Sequence, residues 1–459
     1  MKPATLDAYK LMHRGALTLA DMEANGQRID TAYLDKAIRI TSKKIKEIKE
    51  SIRNDEVFLT WRKRYGKELS LESNVQLGTV LSKDFGIALP LTAKGQIKTD
   101  KYTLGKIELP FLRMLVQARE LGKARGTYLE GLRRELVGEY VHPIFNLHIA
   151  ITYRSSCELP NFQNIPVRDP FLGRLIRRCF IARDGHVLCE IDFKGVEVSV
   201  AACYNHDPVL IKYVKDKTKD MHRDMAMQIF MLKLEELDAE GRIRQEAKGG
   251  FVFPAFYGDY YVNTAEAMWE GSEALATADG VPLHKHLRRK GISTRGACDP
   301  ERRAVPGTFE HHVKEVEYDF WNRRFKVYKQ WKDETWERYQ QRGYMRTKTG
   351  FRVSGFYTKN QIINNGIQGS AFHCDLWVMS EMNTWLEKKR MKSRLVNTIH
   401  DSVIGDVYEP ELPDYLGRVK ELVREELPKK WPWIIVPLDV EAKVAPSGGS
   451  WFDCKKVAI

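Results

Sequence analysis

No stretch of this 459-residue chain approaches the ~20 consecutive apolar residues of a membrane span. Its first residues, MKPATLDAYKLMHRGALTLADME, lack the apolar core and cleavage site of a secretory leader, so none is expected. The cysteines (Cys157, Cys179, Cys189, Cys203, Cys298, Cys374 and Cys454) are scattered, with no CxxC pair. That pattern argues against both a disulfide framework and a zinc site, and for reduced thiols. His311 and His312 are adjacent but lack the partners of a zinc motif. No internal repeat or low-complexity tract is present. These absences lead us to expect a soluble, intracellular, cytoplasmic protein with no membrane partner.

What is there is basic: 74 Lys and Arg against 61 Asp and Glu give a formal charge of +13. Such a balance favours a polyanionic partner without naming it. Basic residues crowd at Lys36, Arg39, Lys43, Lys44, Lys46, Lys49 and Arg53, again at Arg62, Lys63, Arg64 and Lys67, and from Lys285 to Arg303. Each cluster either faces a phosphate backbone, in salt-sensitive fashion, or is a solvated helix face. The length predicts two to four domain-sized units with ample core. Residues 5 to about 135 read as mostly helical. From Val141 the pattern turns to short β-rich runs, which return after Leu395. Residues 206–358 are largely helical, and 266–318, polar and rich in Gly, Pro and His, read as an insertion.

Two acidic motifs stand far apart. HVLCEI leads into Asp192, and LVNTI leads through His400 into Asp401. Taken singly, an Asp after an apolar run is more often a turn or cap residue. Two carboxylates at neighbouring strand ends, however, can hold a pair of divalent ions about 3.5–4 Å apart, which suits in-line displacement at phosphorus. Between them, Arg244 and Lys248 are four residues apart and share a helix face. Two such cations suit a triphosphate, Arg bidentately and Lys as a point charge; a solvent-facing basic pair is the plainer alternative.

The motifs occur in a fixed order: TYRSSCELPNFQNIP (152–166), the Asp192 motif CEIDFKGVEVS, RQEAKGGFVFPAFYG (244–258), NNGIQGS (364–370) and NTIHDSVIGDV around Asp401. This order resembles the family A DNA polymerases, the group of bacterial DNA polymerase I and many phage replicases. The resemblance runs from about Leu19 to Trp451. It implies an α+β right-hand fold: a helical thumb (1–140), a palm sheet from two segments (141–205 and 359–459) and helical fingers (206–358). Residues 19–30 resemble the segment that opens the family's polymerase region, and 71–81, 92–100 and 119–132 resemble its thumb. Because the resemblance begins so near Met1, no proofreading exonuclease domain is expected in the chain; a separately encoded exonuclease or another replisome protein is a conceivable partner.

The resemblance further implies residue roles. Asp192 and Asp401 would hold two Mg²⁺ ions, with Mn²⁺ able to substitute, and the Phe193 carbonyl would be a further ligand. Ser402 stands where the family often has Glu, which puts in question any need for a second acidic group there. Arg244, Lys248 and His222 would contact the triphosphate. Phe253 and Tyr257 would flank the sugar and the templating base, with Phe at 253 implying discrimination against dideoxynucleotides. Glu197 would occupy the ribose 2′ position, favouring DNA over RNA synthesis. Arg154, Asn164, Asn364, Gln368 and His400 would probe minor-groove acceptors, which vary little with sequence; Asn164 is equally readable as a turn residue. Gly195 replaces a frequent Gln at a position that mainly offers backbone, and Tyr153 replaces the usual Gly before Arg154. Primer–template DNA and dNTPs are the implied partners. A single-subunit RNA polymerase or primase, and a non-catalytic DNA-binding scaffold, are the competing readings.

One departure yields a geometric prediction. The aromatic usually four residues after the Lys lies five after it, at Phe253. On an ideal helix of ~100° per residue, Phe253 would then leave the face of Lys248. A π-type turn absorbing the extra residue would realign them, and Gly249, Gly250 and Pro254 make it feasible. The sequence therefore predicts a bulge or kink between Lys248 and Pro254.

Overall fold

The computed structural model describes residues 5–91, 95–165, 170–292 and 304–459. Cys298, Pro166, part of the 92–100 segment and residues 293–303 of the basic and insertion stretches lie outside these. Five strands form one antiparallel sheet: β1 (His186–Phe193), β2 (Arg394–Ile399), β3 (Ser402–Tyr408), β4 (Val440–Val444) and β5 (Lys455–Val457). Their spatial order is β5-β4-β1-β3-β2, so β1 enters from one chain segment and the other four from a second. The central strands β1 (HVLCEIDF) and β3 (SVIGDVY) are buried along nearly their whole length. Continuous burial, in place of alternation, marks strands covered on both faces.

The helices divide into groups. Helix α1 (Thr5–Asn25) packs on the sheet side, and a Cβ at Gly15 would lie 2.7 Å from the Leu376 side chain. Helices α2 (Thr31–Ser51) and α3 (Pro110–Lys123) form a two-helix stalk, joined through Ile45, Ile48, Ala118 and Leu121. Asp30 caps α2, its carboxylate accepting from Tyr33 N at 2.8 Å. The stalk carries a small tip with its own core, including Ile52, Trp61, Leu77, Leu81 and Phe111. After β1 comes α4 (Val196–Asn205), and a helical block follows that includes α5 (Met221–Ile229), α6 (Arg242–Ala247) and α7 (Phe253–Tyr257).

Helix α8 (Lys359–Lys388) is the longest element that positions the site. Thr358 and Gln361 cap it reciprocally, and residues from Ile362 to Leu386 are buried around its circumference. Gly369 lets the 152–154 segment approach: a Cβ there would sit 2.5 Å from the Thr152 carbonyl oxygen. No described helix is long and apolar enough to cross a membrane, and six of the cysteines are free.

Candidate active site

Backbone pairing brings the two distant aspartates together. In the register of β1 and β3, Asp192 lies opposite Ser402, and the Phe193 amide donates to the Asp401 carbonyl at 3.2 Å. Asp401 occupies the two-residue turn between β2 and β3, which His400 enters with φ +58°. Among the described residues neither carboxylate has an ion-pair partner. Burial, and then the neighbouring Asp401, push the Asp192 carboxyl up to about 7. Two uncompensated carboxylates at one place are what a divalent cation relieves.

This donor set fits hard, oxygen-loving cations held partly by substrate. Among the described residues no group of three or more His, Cys, Asp or Glu converges as a closed metal cage. Mg²⁺ typically takes one or two carboxylates and completes its shell with water and phosphate, so a two-Asp site suits it.

Two further carboxylates surround the pair and are not apparent from the sequence motifs. Glu441 lies opposite Asp192 on the β4 side, so Ser402, Asp192 and Glu441 project in a row from one sheet face. Glu441 is held by Lys456 at 2.7 Å. Asp375 is buried on α8, and its Oδ2 lacks a hydrogen-bond partner among the described residues. Burial, then Asp401 and Asp192, hold its carboxyl well above the ordinary range. Asp375 is seven residues after Gln368, two helical turns along the same face, a signal that periodicity alone offered. Glu441 had no such signal, because only long-range register places it there.

The facing wall is helical. Helix α6 runs through a π-type turn, Lys248–Val252, into α7, and the Phe253 amide bonds back to the Lys248 carbonyl five residues earlier. The expected distortion is present, and it sets the Lys248 ammonium 5.1 Å from the Phe253 ring centroid. His222 meets the same ring edge-on at 5.7 Å, and Tyr257 follows at 6.3 Å. Arg244 pairs with Asp220, which also caps α5 by accepting from the amides of His222 and Arg223. Burial, then the charges of Arg244 and Lys248, lower the His222 imidazole to about 4, so it is neutral near pH 7. An open cavity of about 540 Å³ runs along this wall, lined by Gly249, Phe253, Pro254, Tyr257, Gly258, Asp259 and Asn360.

Glu197 ties the two walls. It accepts from the Tyr257 hydroxyl and pairs with Arg154 at 3.4 Å. Burial, then Glu197, push the Tyr257 phenol well up, while Gln368 hydrogen-bonds the same hydroxyl. Asn364 donates to the Tyr257 carbonyl at 3.1 Å. His400 is exposed on the turn, yet partial desolvation and then Arg154 lower its imidazole, with Asp401 and Glu197 opposing. Arg154, Glu197, Tyr257, Asn364, Gln368 and His400 thus form one polar cluster beside the carboxylates. Tyr153 adopts φ +55°, the left-handed geometry for which glycine is the undemanding choice. Gly195 is likewise left-handed, at φ +58°, and starts α4. Asn164 stands apart: it lines a separate cavity of about 420 Å³ with Lys123 and Tyr128, and its carbonyl accepts from the Tyr128 hydroxyl at 2.8 Å.

Comparison with known proteins bears on the family and the fold. The sequence pattern of a family described as DNA polymerase family A matches residues 33–274 and 311–452, the interruption falling within the polar stretch 266–318. The thermostable DNA polymerase I of Thermus thermophilus is 28% identical over 456 residues, covering 95% of this chain and 47% of that protein. DNA polymerase I of Bacillus subtilis is 26% identical over 458 residues, covering 96% and 45%. The chain spans about half the length of these curated relatives. Among solved structures, the POL domain of Pol1 from M. smegmatis, in complex with DNA primer-template and dNTP, aligns with a TM-score of 0.73 at 22% identity, over 96% of this chain and 70% of that one. The fold is therefore the right-hand α+β architecture of that domain.

Proposed function

The chain belongs to DNA polymerase family A, and on that premise we propose that it extends a primer 3′ end with dNTPs under the direction of a DNA template. The observation that carries this reading is the pairing of β1 with β3, which sets Asp192 beside Asp401 opposite the Arg244–Lys248–Tyr257 wall. On this reading 1–140 serves as thumb with α1 anchored on the palm, 141–205 and 359–459 as palm, and 206–358 as fingers.

Nucleotidyl transfer forms a bond between the primer 3′-oxygen and the α-phosphorus and breaks the bond to pyrophosphate. Asp192 and Asp401, with the Phe193 carbonyl, would hold two divalent ions, Mg²⁺ or Mn²⁺, which when bound acidify the 3′-hydroxyl and offset triphosphate charge. Lys248 and Arg244 bind the β- and γ-phosphates, Arg244 exchanging Asp220 for phosphate oxygens. His222, neutral, offers a hydrogen bond without adding charge. The Phe253 ring supports the deoxyribose, while the Tyr257–Glu197 pair closes the space a 2′-hydroxyl would need. Arg154, Gln368, Asn364 and His400 would test the minor-groove edge of the nascent pair, and Asn164 would meet the duplex farther back, near the stalk.

Primer extension with four dNTPs and Mg²⁺ tests the proposal. Wild-type chain should copy a template to its end, and ribonucleotides should be poor substrates. Equal use of ribonucleotides, or no extension by a chain that binds duplex, would sink it.

A further inference from the structure

Just ahead of α8, strands Tyr344–Arg346 and Arg352–Ser354 form an antiparallel hairpin. Its register sets Arg346 directly opposite Arg352, and both are exposed. Like charges facing each other across strands are destabilising. Among the described residues neither arginine has a carboxylate partner, and Arg352 instead stacks on Tyr344 at 4.4 Å. Two residues beyond the hairpin, Phe356 is fully exposed.

A lone exposed Phe is ordinary; this one stands on a rigid support. Gly355 takes φ +147°, a backbone closed to other residues without strain, and its carbonyl accepts from the Tyr339 hydroxyl at 2.5 Å. Tyr357 packs into a small cluster around Val353 and Ile362, and the Thr358 cap follows. The support also adjoins the nucleotide wall. Asn360 donates to the Gly258 carbonyl at 3.0 Å and lines the 540 Å³ cavity. The Arg352 carbonyl accepts from the Tyr153 hydroxyl at 3.0 Å, next to Arg154.

We propose that Phe356 and the Arg346–Arg352 pair form a contact for single-stranded DNA, namely the unpaired template strand beside the nucleotide cavity. Phe356 stacks on a base, and the two guanidiniums share a backbone phosphate that relieves their repulsion. Aromatic stacking suits this task because every base presents a π-face, so the grip is sequence-tolerant. Guanidiniums match phosphate oxygens in pairs. This inference rests on the polymerase reading and assigns a contact outside the duplex and nucleotide sites.

The test is equilibrium binding of the whole chain to three labelled DNAs: a blunt primer–template, the same duplex with a short 5′ template overhang, and the same duplex with a 5′ flap on the opposite strand. Wild type should bind the overhang DNA more tightly than the blunt one. Phe356→Ala should lose about 10-fold on the overhang DNA alone, with Phe356→Trp restoring it and the melting temperature unchanged. Arg346→Gln with Arg352→Gln should lower the salt dependence of the overhang gain by about one phosphate contact. An unchanged overhang gain in Phe356→Ala, an equal loss on blunt duplex, or a gain that follows the flap would each overturn the proposal. Wild type that neither binds blunt duplex nor extends a primer would instead remove the polymerase reading, and this contact with it.

Discussion

The two walls of the cleft handle charge in opposite ways. On the sheet wall, Asp192 and Asp401 stand side by side with no ion-pair partner among the described residues, fixed by backbone pairing from strands that meet only in three dimensions. On the facing side, Arg244 already has Asp220, Glu197 already has Arg154 and Tyr257, and a local irregularity of one helix sets Lys248 over Phe253. On the proposed reading, one wall is frustrated until cations arrive, and the other is satisfied and would exchange partners for a triphosphate. Geometry set by a sheet can tolerate that frustration because the strands cannot move apart without losing their ladder. A helix wall can be more adaptable because its partners are side chains.

The largest expected effect tests the frustrated wall. Asp192→Asn or Asp401→Asn should lower single-turnover extension by at least about 10³-fold, while duplex binding by fluorescence anisotropy stays as in wild type. Retained extension would mean the carboxylates do no metal chemistry. Next, Lys248→Ala should raise the KM for dNTP by about 10–100-fold, since a charge-assisted contact is worth ~1.5–3 kcal/mol; an unchanged KM would remove the triphosphate assignment. Similar in size, Glu197→Ala should open the 2′ space and raise ribonucleotide incorporation by about 100-fold, the scale on which steric pockets discriminate. The sharpest probe of the comparison is small. Asp220→Asn keeps a cap acceptor for α5 but frees Arg244 of its counter-charge, so the KM for dNTP should fall by about 2–5-fold, as for a partly exposed ion pair.

The smallest effect is on stability. Burial lowers the His373 imidazole to about 3 from an ordinary 6.5, and His222 sits at about 4. Over that interval the unfolded chain binds protons on these histidines that the folded chain does not, so their contribution to stability is full above pH 6.5 and is lost as pH drops, while the raised carboxyls of Asp192 and Asp375 act in the opposite direction. The change in melting temperature from pH 8 to pH 5 should be more favourable in His373→Gln than in wild type, with extension at pH 8 untouched; parallel curves would remove the His373 contribution.

How much of this was legible follows the same division. The π-type turn was predictable from one residue count, Lys248 to Phe253, because helical geometry is local. The strand-end position of both aspartates was legible from their apolar leads. Their contact needed the motif order as well, since hydrogen-bond register between distant segments leaves little trace in a single chain. Glu441 stayed hidden for that reason, as did the parking of Arg244 on Asp220. Asp375 has only its seven-residue offset from Gln368 to mark it among the apolar residues of α8. In the sequence the left-handed turn at Tyr153 shows only as a missing glycine; the structure keeps the turn at some backbone strain.

The stalk tip, finally, owns a hydrophobic cluster separate from the main one, tethered through the contacts of α2 and α3. A molecule whose apolar interior is divided need not melt in one step. Mild heat or a trace of protease should loosen or clip the tip while the sheet and its aspartates stay intact; if the stalk serves as the proposed thumb, the truncated body would lose its hold on duplex before its bond-making centre.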